Sequence, residues 1–92
     1  MKEQIKTVIN ASGIHARPAT VFVGEAKKYQ AKITLTNLTS GRQGDAKSML
    51  KVLSLGLTKG TEVKLTAEGE DEEAAIAALS ALIDSGLGES AG

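Results

Sequence analysis

Apolar and polar positions alternate along Ala31-Lys32-Ile33-Thr34-Leu35-Thr36 and again along Glu62-Val63-Lys64-Leu65-Thr66-Ala67. That period of two predicts strands with one face buried and one face wet. Ile5, Val8 and Ile9 place another strand near residues 3 to 10, with less regular alternation. A short fourth strand is predicted around Arg42 to Ala46, although Gly41 and Gly44 weaken any strand interior.

Three other stretches follow helical spacing. Ala19, Phe22, Val23 and Ala26 recur at i, i+3, i+4 and i+7, which stacks them on one stripe and leaves Glu25, Lys27 and Lys28 outside. Pro18 suits the first turn of that helix, where a missing N–H removes no helical bond. Ala46, Met49, Leu50 and Leu53 predict a second, short helix that Gly56 is placed to end. The third spans about Glu70 to Ser85, with Ile76, Leu79 and Ile83 facing inward and Gly86 stopping it. Glu70, Asp71, Glu72 and Glu73 crowd its first turn, where the positive end of the helix dipole favours carboxylates. These acids therefore need no metal to explain them.

The order is β-α-β-β-α-β-α, with no internal repeat. One apolar face per strand and one stripe per helix imply two layers, an α+β sandwich whose sheet is covered on one side and open on the other. A single domain over residues 1–88 is expected, followed by a flexible tail at 89–92.

Composition narrows the function. With no cysteine there is no disulfide framework, no thiol nucleophile and no zinc finger. The longest apolar run, Ala74 to Leu79, is far short of the roughly 20 residues that span a bilayer. The opening Met1-Lys2-Glu3-Gln4 lacks the apolar region of a signal peptide, so a cytoplasmic protein is expected. Overall charge is zero, yet residues 1–60 hold ten Lys/Arg against three acids, a net +7, and residues 61–92 hold one against eight, a net −7. If the basic residues gather on one face, that face attracts acidic proteins, phosphates or nucleic acid.

The chain has one histidine, His15, in Gly13-Ile14-His15-Ala16-Arg17-Pro18-Ala19, just before the first helix. A lone histidine is most often a surface or packing residue. Here it adjoins unpaired N–H groups at a helix start, a ready site for an anion such as a phosphoryl group. Arg17 adds a planar guanidinium fork suited to phosphate oxygens. The lone pair of a neutral imidazole is the nucleophile such chemistry needs. Gly13 permits a tight turn, and small Ala16 and Ala19 leave the approach open. A cation at a helix N-terminus is mildly disfavoured by the dipole, so Arg17 asks for a functional reason.

The run Gly13-Ile14-His15-Ala16-Arg17-Pro18-Ala19-Thr20, with Ala46-Lys47-Ser48-Met49-Leu50 and Leu53-Ser54-Leu55-Gly56, resembles the HPr family. These are the histidine-containing phosphocarriers of the bacterial phosphoenolpyruvate-dependent sugar phosphotransferase system. The resemblance covers nearly the whole chain. It implies an open-faced β-sandwich with a four-stranded antiparallel sheet and three helices on one face. It also implies that His15 takes a phosphoryl group on Nδ1 from phosphorylated enzyme I and gives it to EIIA domains of sugar permeases. Arg17 and the backbone of Ala16 and Arg17 would steady the phosphoryl oxygens. Such a chain is a carrier with a phosphohistidine intermediate rather than an independent catalyst, and no cofactor or metal is expected.

By the same resemblance Ser48 matches a serine phosphorylated by HPr kinase/phosphorylase, with a catabolite-control regulator as a further partner. A phosphoserine there places about −1.5 to −2 charges beside a surface that docks acidic partners. Ser48 is equally suited to cap the second helix, and one residue can do both. Thr20, Lys47, Met49, Leu50 and Lys51 are the expected docking contacts, with Leu50 leaning outward. Lys51 stands where the family often has glycine, Leu53 where it often has methionine, and the hairpin over residues 37–44 is slightly long. A monomer is expected, since one face must meet successive partners.

Other classes fit less well. Gly41-Arg42-Gln43-Gly44 has the GxxG form of a KH domain but joins two predicted strands, not helices, and Phe22 and Tyr29 are the only aromatics. Nucleic-acid binding is therefore not expected. One histidine cannot supply a hydrolase triad with its base and partners or a tetrahedral zinc site. The remaining alternative is a regulatory HPr paralogue acting as a protein-binding module, and His15 argues against it because the Crh type lacks the histidine.

Overall fold

The computed structural model describes residues 1–89; residues 90–92 of the expected tail lie outside the described residues. The elements are β1 (Lys2–Thr7), α1 (Ala16–Ala26), β2 (Lys32–Asn37), β3 (Gln43–Asp45), α2 (Met49–Leu53), β4 (Glu62–Glu68) and α3 (Glu72–Asp84). The four strands form one antiparallel sheet in the order β1-β4-β2-β3. Three helices and an open sheet face complete the α+β sandwich that the sequence pattern predicts.

The centre of the sheet follows from the alternation. In β2 and β4 the pairs Ile33↔Ala67, Leu35↔Leu65 and Asn37↔Val63 stand directly opposite one another, and all six residues are buried. Thr34, Thr36, Lys64 and Thr66, on the other face, are only half-buried. Ala19, Phe22, Val23 and Ala26 of α1 and Ile76, Leu79 and Ile83 of α3 are buried in the same core, as their spacing requires. Removing this apolar surface from water is the main favourable term in holding the layers together.

Two elements differ from expectation. β1 ends at Thr7, and of its three apolar markers only Val8, just past the strand, is buried; Ile5 is 53% exposed. The register explains this. Ile5 lies opposite Lys64 and so on the open face, while Lys6 lies opposite Val63 on the inner face. The inner face of β1 meets α3 through charge, with Lys6 Nζ 2.8 Å from Asp84 and Lys2 Nζ 3.9 Å from Glu73.

In α2 the buried residue is Val52, whereas Leu50 is 77% and Leu53 38% exposed. Met49 is half-buried against the core, and Ala46 is buried but precedes the helix. A helix of five residues has too few turns for an apolar stripe to mark its inner face. α2 lies so close to β3 that a Cβ on Gly44 would stand 3.0 Å from Lys51 Cβ, which accounts for a glycine inside a strand.

Of the four acids around the start of α3, Glu72 and Glu73 lie in its first turn, and Asp71 occupies the N-cap but makes no side-chain bond to its own helix. Its two carboxylate oxygens accept instead from Gln30 N and Ala31 N, both at 2.8 Å, tying the start of α3 to the entry of β2.

Candidate functional site

The segment between β1 and α1 is fixed before it reaches His15. Val8 exchanges backbone bonds with the Gly60–Thr61 turn, at 2.9 and 2.7 Å. The chain then turns over Asn10–Gly13, closed by Gly13 N–H donating to Asn10 O at 3.1 Å. Gly13 has φ +67°, and a Cβ there would come within 2.2 Å of Leu57 O and 2.8 Å of Thr58 Cα. Only a residue without a side chain permits both the left-handed turn and this approach. Ile14 N–H donates to Leu57 O at 2.9 Å and its side chain is fully buried. His15 is thus delivered to the surface from an anchored neighbour.

His15 is the N-cap of α1, in extended conformation, and its imidazole makes no capping bond. The ring is half-buried, neither sunk in the core nor fully exposed. Its carbonyl accepts from Ala19 N at 3.4 Å. The N–H groups of Ala16 and Arg17 precede any helical i−4 carbonyl, and Pro18 has none, so the donors at this end are free of the helix ladder. No acid occupies the first turn. Among the described residues the exposed Arg17 guanidinium has no carboxylate within ion-pair distance. Ala16 adopts φ +50°, a left-handed conformation that costs an alanine roughly 1–2 kcal/mol and is characteristic of functional sites.

A second group of residues lies on α2. Ser48 is its N-cap, with Oγ accepting from Lys51 N at 3.3 Å. Lys47 N donates to Asp45 Oδ1, and Lys47 Nζ donates to Tyr29 O at 2.6 Å, so this ammonium is engaged with the connection between α1 and β2. Between the helices runs a shallow groove of about 280 Å³ lined by Thr20, Val23, Gly24 and Lys27 of α1 and Met49 of α2. Thr20 and Met49 therefore share one surface, with exposed Leu50 and Lys51 on the same short helix. Gly24 and Lys27 are not among the docking contacts expected from the sequence, although they follow Thr20 at i+4 and i+7, the spacing of one helix face.

The sequence also gave no sign of a carboxylate near the His15 loop. Glu89 Oε1 accepts from Asn10 Nδ2 at 3.0 Å and Ser12 N at 3.3 Å, and Oε2 accepts from Ser12 Oγ at 2.8 Å. The Asn10 amide and then the Ser12 hydroxyl hold the Glu89 carboxyl below the usual carboxylate range. A contact between residues 77 apart leaves no local pattern to read. On the far end of α1, the Lys28 ammonium, helped by the Tyr29 hydroxyl, lowers the Glu25 carboxyl. Among the described residues no cluster of three His, Cys, Asp or Glu is placed to hold a metal, and no helix is long and apolar enough to cross a membrane.

Comparison with known proteins agrees with this geometry. A family model described as the PTS HPr component phosphorylation site matches residues 2–85. The phosphocarrier protein HPr of Haemophilus influenzae is 45% identical over 76 residues, covering 83% of this chain and 87% of that protein. The multiphosphoryl transfer protein of the same organism is 42% identical over 88 residues, covering 95% of this chain but 18% of its own length. The chain thus spans about a fifth of the multiphosphoryl transfer proteins it matches. The crystal structure of HPr-C-His from Thermoanaerobacter tengcongensis superposes with a TM-score of 0.92 at 45% identity, covering 97% of this chain and 98% of that one. A half-exposed imidazole beside free helix N–H groups, on this fold and with these relatives, places the chain in the HPr phosphocarrier family of the phosphotransferase system.

Proposed function

We propose that the chain works in the cytoplasm as a monomeric phosphocarrier, with His15 Nδ1 taking a phosphoryl group from phosphorylated enzyme I and passing it to EIIA domains of sugar permeases. In each step one P–N bond breaks as another forms, so the phosphoryl group moves between imidazoles without a cofactor. Arg17 and the N–H groups of Ala16 and Arg17 steady the phosphoryl oxygens, which are the charge that a helix N-terminus and a guanidinium favour. The observation that carries this reading is the His15 N-cap with its imidazole uncommitted to the helix.

Thr20, Met49, Leu50 and Lys51 form the docking surface around it. Lys47 adds charge from its fixed position against Tyr29. Phosphorylation of Ser48 by an HPr kinase/phosphorylase would put a dianion on that surface and slow acceptance from enzyme I by like-charge repulsion. In that state the chain also suits recognition by a catabolite-control regulator.

Incubation with phosphoenolpyruvate and enzyme I tests the reading. The expected product is a mass gain of one phosphoryl group, labile in acid and stable in base, that His15→Ala abolishes. Absence of that adduct in the unmodified protein would favour a protein-binding module instead.

A further inference from the structure

The turn that delivers His15 is held from both sides. On the inner side Asn10, fully buried, donates through Nδ2 to Gly13 O at 2.6 Å. On the outer side stands Glu89. The same Asn10 amide nitrogen donates to Glu89 Oε1, so its two hydrogens serve one bond within the turn and one to the carboxylate. Ser12, at the exposed tip, gives the carboxylate both its N–H and its hydroxyl. Three donors from two residues of one turn thus converge on a single side chain beyond α3.

Glu89 is itself well positioned. After α3 ends at Asp84, Gly86 N donates to Ile83 O at 3.1 Å and Leu87 N to Leu82 O at 2.9 Å. The Leu87 side chain is fully buried, and Glu89 N donates back to Gly86 O at 3.0 Å. The chain beyond α3 is therefore plugged into the core two residues before the carboxylate. Because its donors keep that carboxyl below its usual range, it remains an acceptor throughout neutral pH.

From this geometry we infer that Glu89 is a positioning residue for His15: it clamps the Asn10–Gly13 turn and thereby fixes the direction from which the imidazole meets the N–H groups of Ala16 and Arg17. The inference rests on the carrier reading above. It adds a residue from the opposite end of the sequence that touches neither phosphoryl group nor partner. Orientation of this kind acts on the chemical step, where misplacement of a reacting group by about 1 Å can cost up to a hundredfold in rate. Docking through α1 and α2 is separate from the turn.

The test measures phosphoryl transfer from phosphorylated enzyme I to the full chain, together with amide hydrogen exchange. Glu89→Ala is expected to lower kcat about three- to tenfold with KM for the carrier unchanged, and to speed exchange at the Ser12 and Gly13 amides. Glu89→Gln, which keeps the side-chain length and one acceptor oxygen, should recover part of the loss. If Glu89→Ala fails to fold, Ser12→Ala, which removes only the bond to Oε2, carries the same expectation at smaller size. A kcat within twofold of the unmodified protein, or a loss confined to KM, would overturn the clamp. So would unchanged exchange at Ser12 and Gly13, a readout that holds even if no phosphoryl group is taken up. Failure of the unmodified chain to form any adduct, with His15→Ala as its reference, overturns the carrier reading instead.

Discussion

The side-chain amide of Asn37 donates to the carbonyl of Leu55 at 2.9 Å, joining the end of β2 to the chain that leaves α2. The same residue accepts at Oδ1 from Thr39 N and Ser40 N, so one buried side chain folds the β2–β3 hairpin and fastens it to the stretch leading to Leu57. Leu57 in turn receives Ile14. Asn37→Ala leaves all three partners without their bond and should cost about 1–3 kcal/mol of stability. Urea unfolding measures it, and a loss below about 0.5 kcal/mol would contradict the role.

Gly13→Ala is expected to affect both stability and transfer. The added methyl meets the Leu57 carbonyl inside van der Waals contact at a positive φ, so the loop must move away. Stability should fall by more than about 1 kcal/mol, and transfer from enzyme I should slow even at temperatures where the variant is fully folded. A folded variant with normal transfer would show that the approach of Gly13 to Leu57 does not set the position of His15.

Leu50 and Val52 separate surface from core within one short helix. Leu50→Ala should change stability by no more than about 0.5 kcal/mol, because the side chain is largely in water, while raising KM for enzyme I several-fold. Val52→Ala should cost about 2 kcal/mol in lost burial and cavity and leave KM near its original value. The pair of measurements, thermal unfolding and steady-state transfer, should give opposite rankings.

Arg17→Ala removes an exposed side chain with no ion-pair partner among the described residues, so the fold should be unaffected. Transfer should slow by roughly tenfold or more, as expected for losing a preorganised donor to a developing phosphoryl charge. Unchanged rates to donor and acceptor alike would remove Arg17 from the site.

Acid should loosen the junction between α3 and β2. The N–H groups of Gln30 and then Ala31 lower the Asp71 carboxyl, and Gly69 N–H does the same for Glu72. For a carboxyl whose folded pKa is depressed, the stabilisation is complete above the ordinary carboxylate range and is lost as pH falls through the depressed value. The thermal midpoint should therefore be flat near neutrality and fall in acid. Asp71→Asn should lower it at neutral pH and make the acid slope shallower; an unchanged slope would show that Asp71 does not carry this dependence.

What the sequence reveals depends on how far apart the cooperating residues are. β2, β4, α1 and α3 are legible because each is long enough to repeat its own period against a single apolar core. His15, Arg17 and the helix start are legible because they are neighbours in the chain. β1 is obscured because its inner face carries the polar residues Lys2, Gln4 and Lys6, and the two lysines meet α3 by charge rather than by burial. α2 is obscured because one turn shows no periodicity, and its inner residue is Val52 rather than the leucines around it. The Glu89 clamp joins the two ends of the sequence, and only the folded chain brings them together.

The absence of a side chain at Gly44 has a mechanical meaning for the surface above it. A methyl in its place would press on Lys51 at less than van der Waals distance, so the height at which Leu50 projects depends on a single hydrogen atom on the strand below. Any side chain added at that point would act as a shim, raising the apolar ridge off its foundation while leaving every residue of the ridge unaltered.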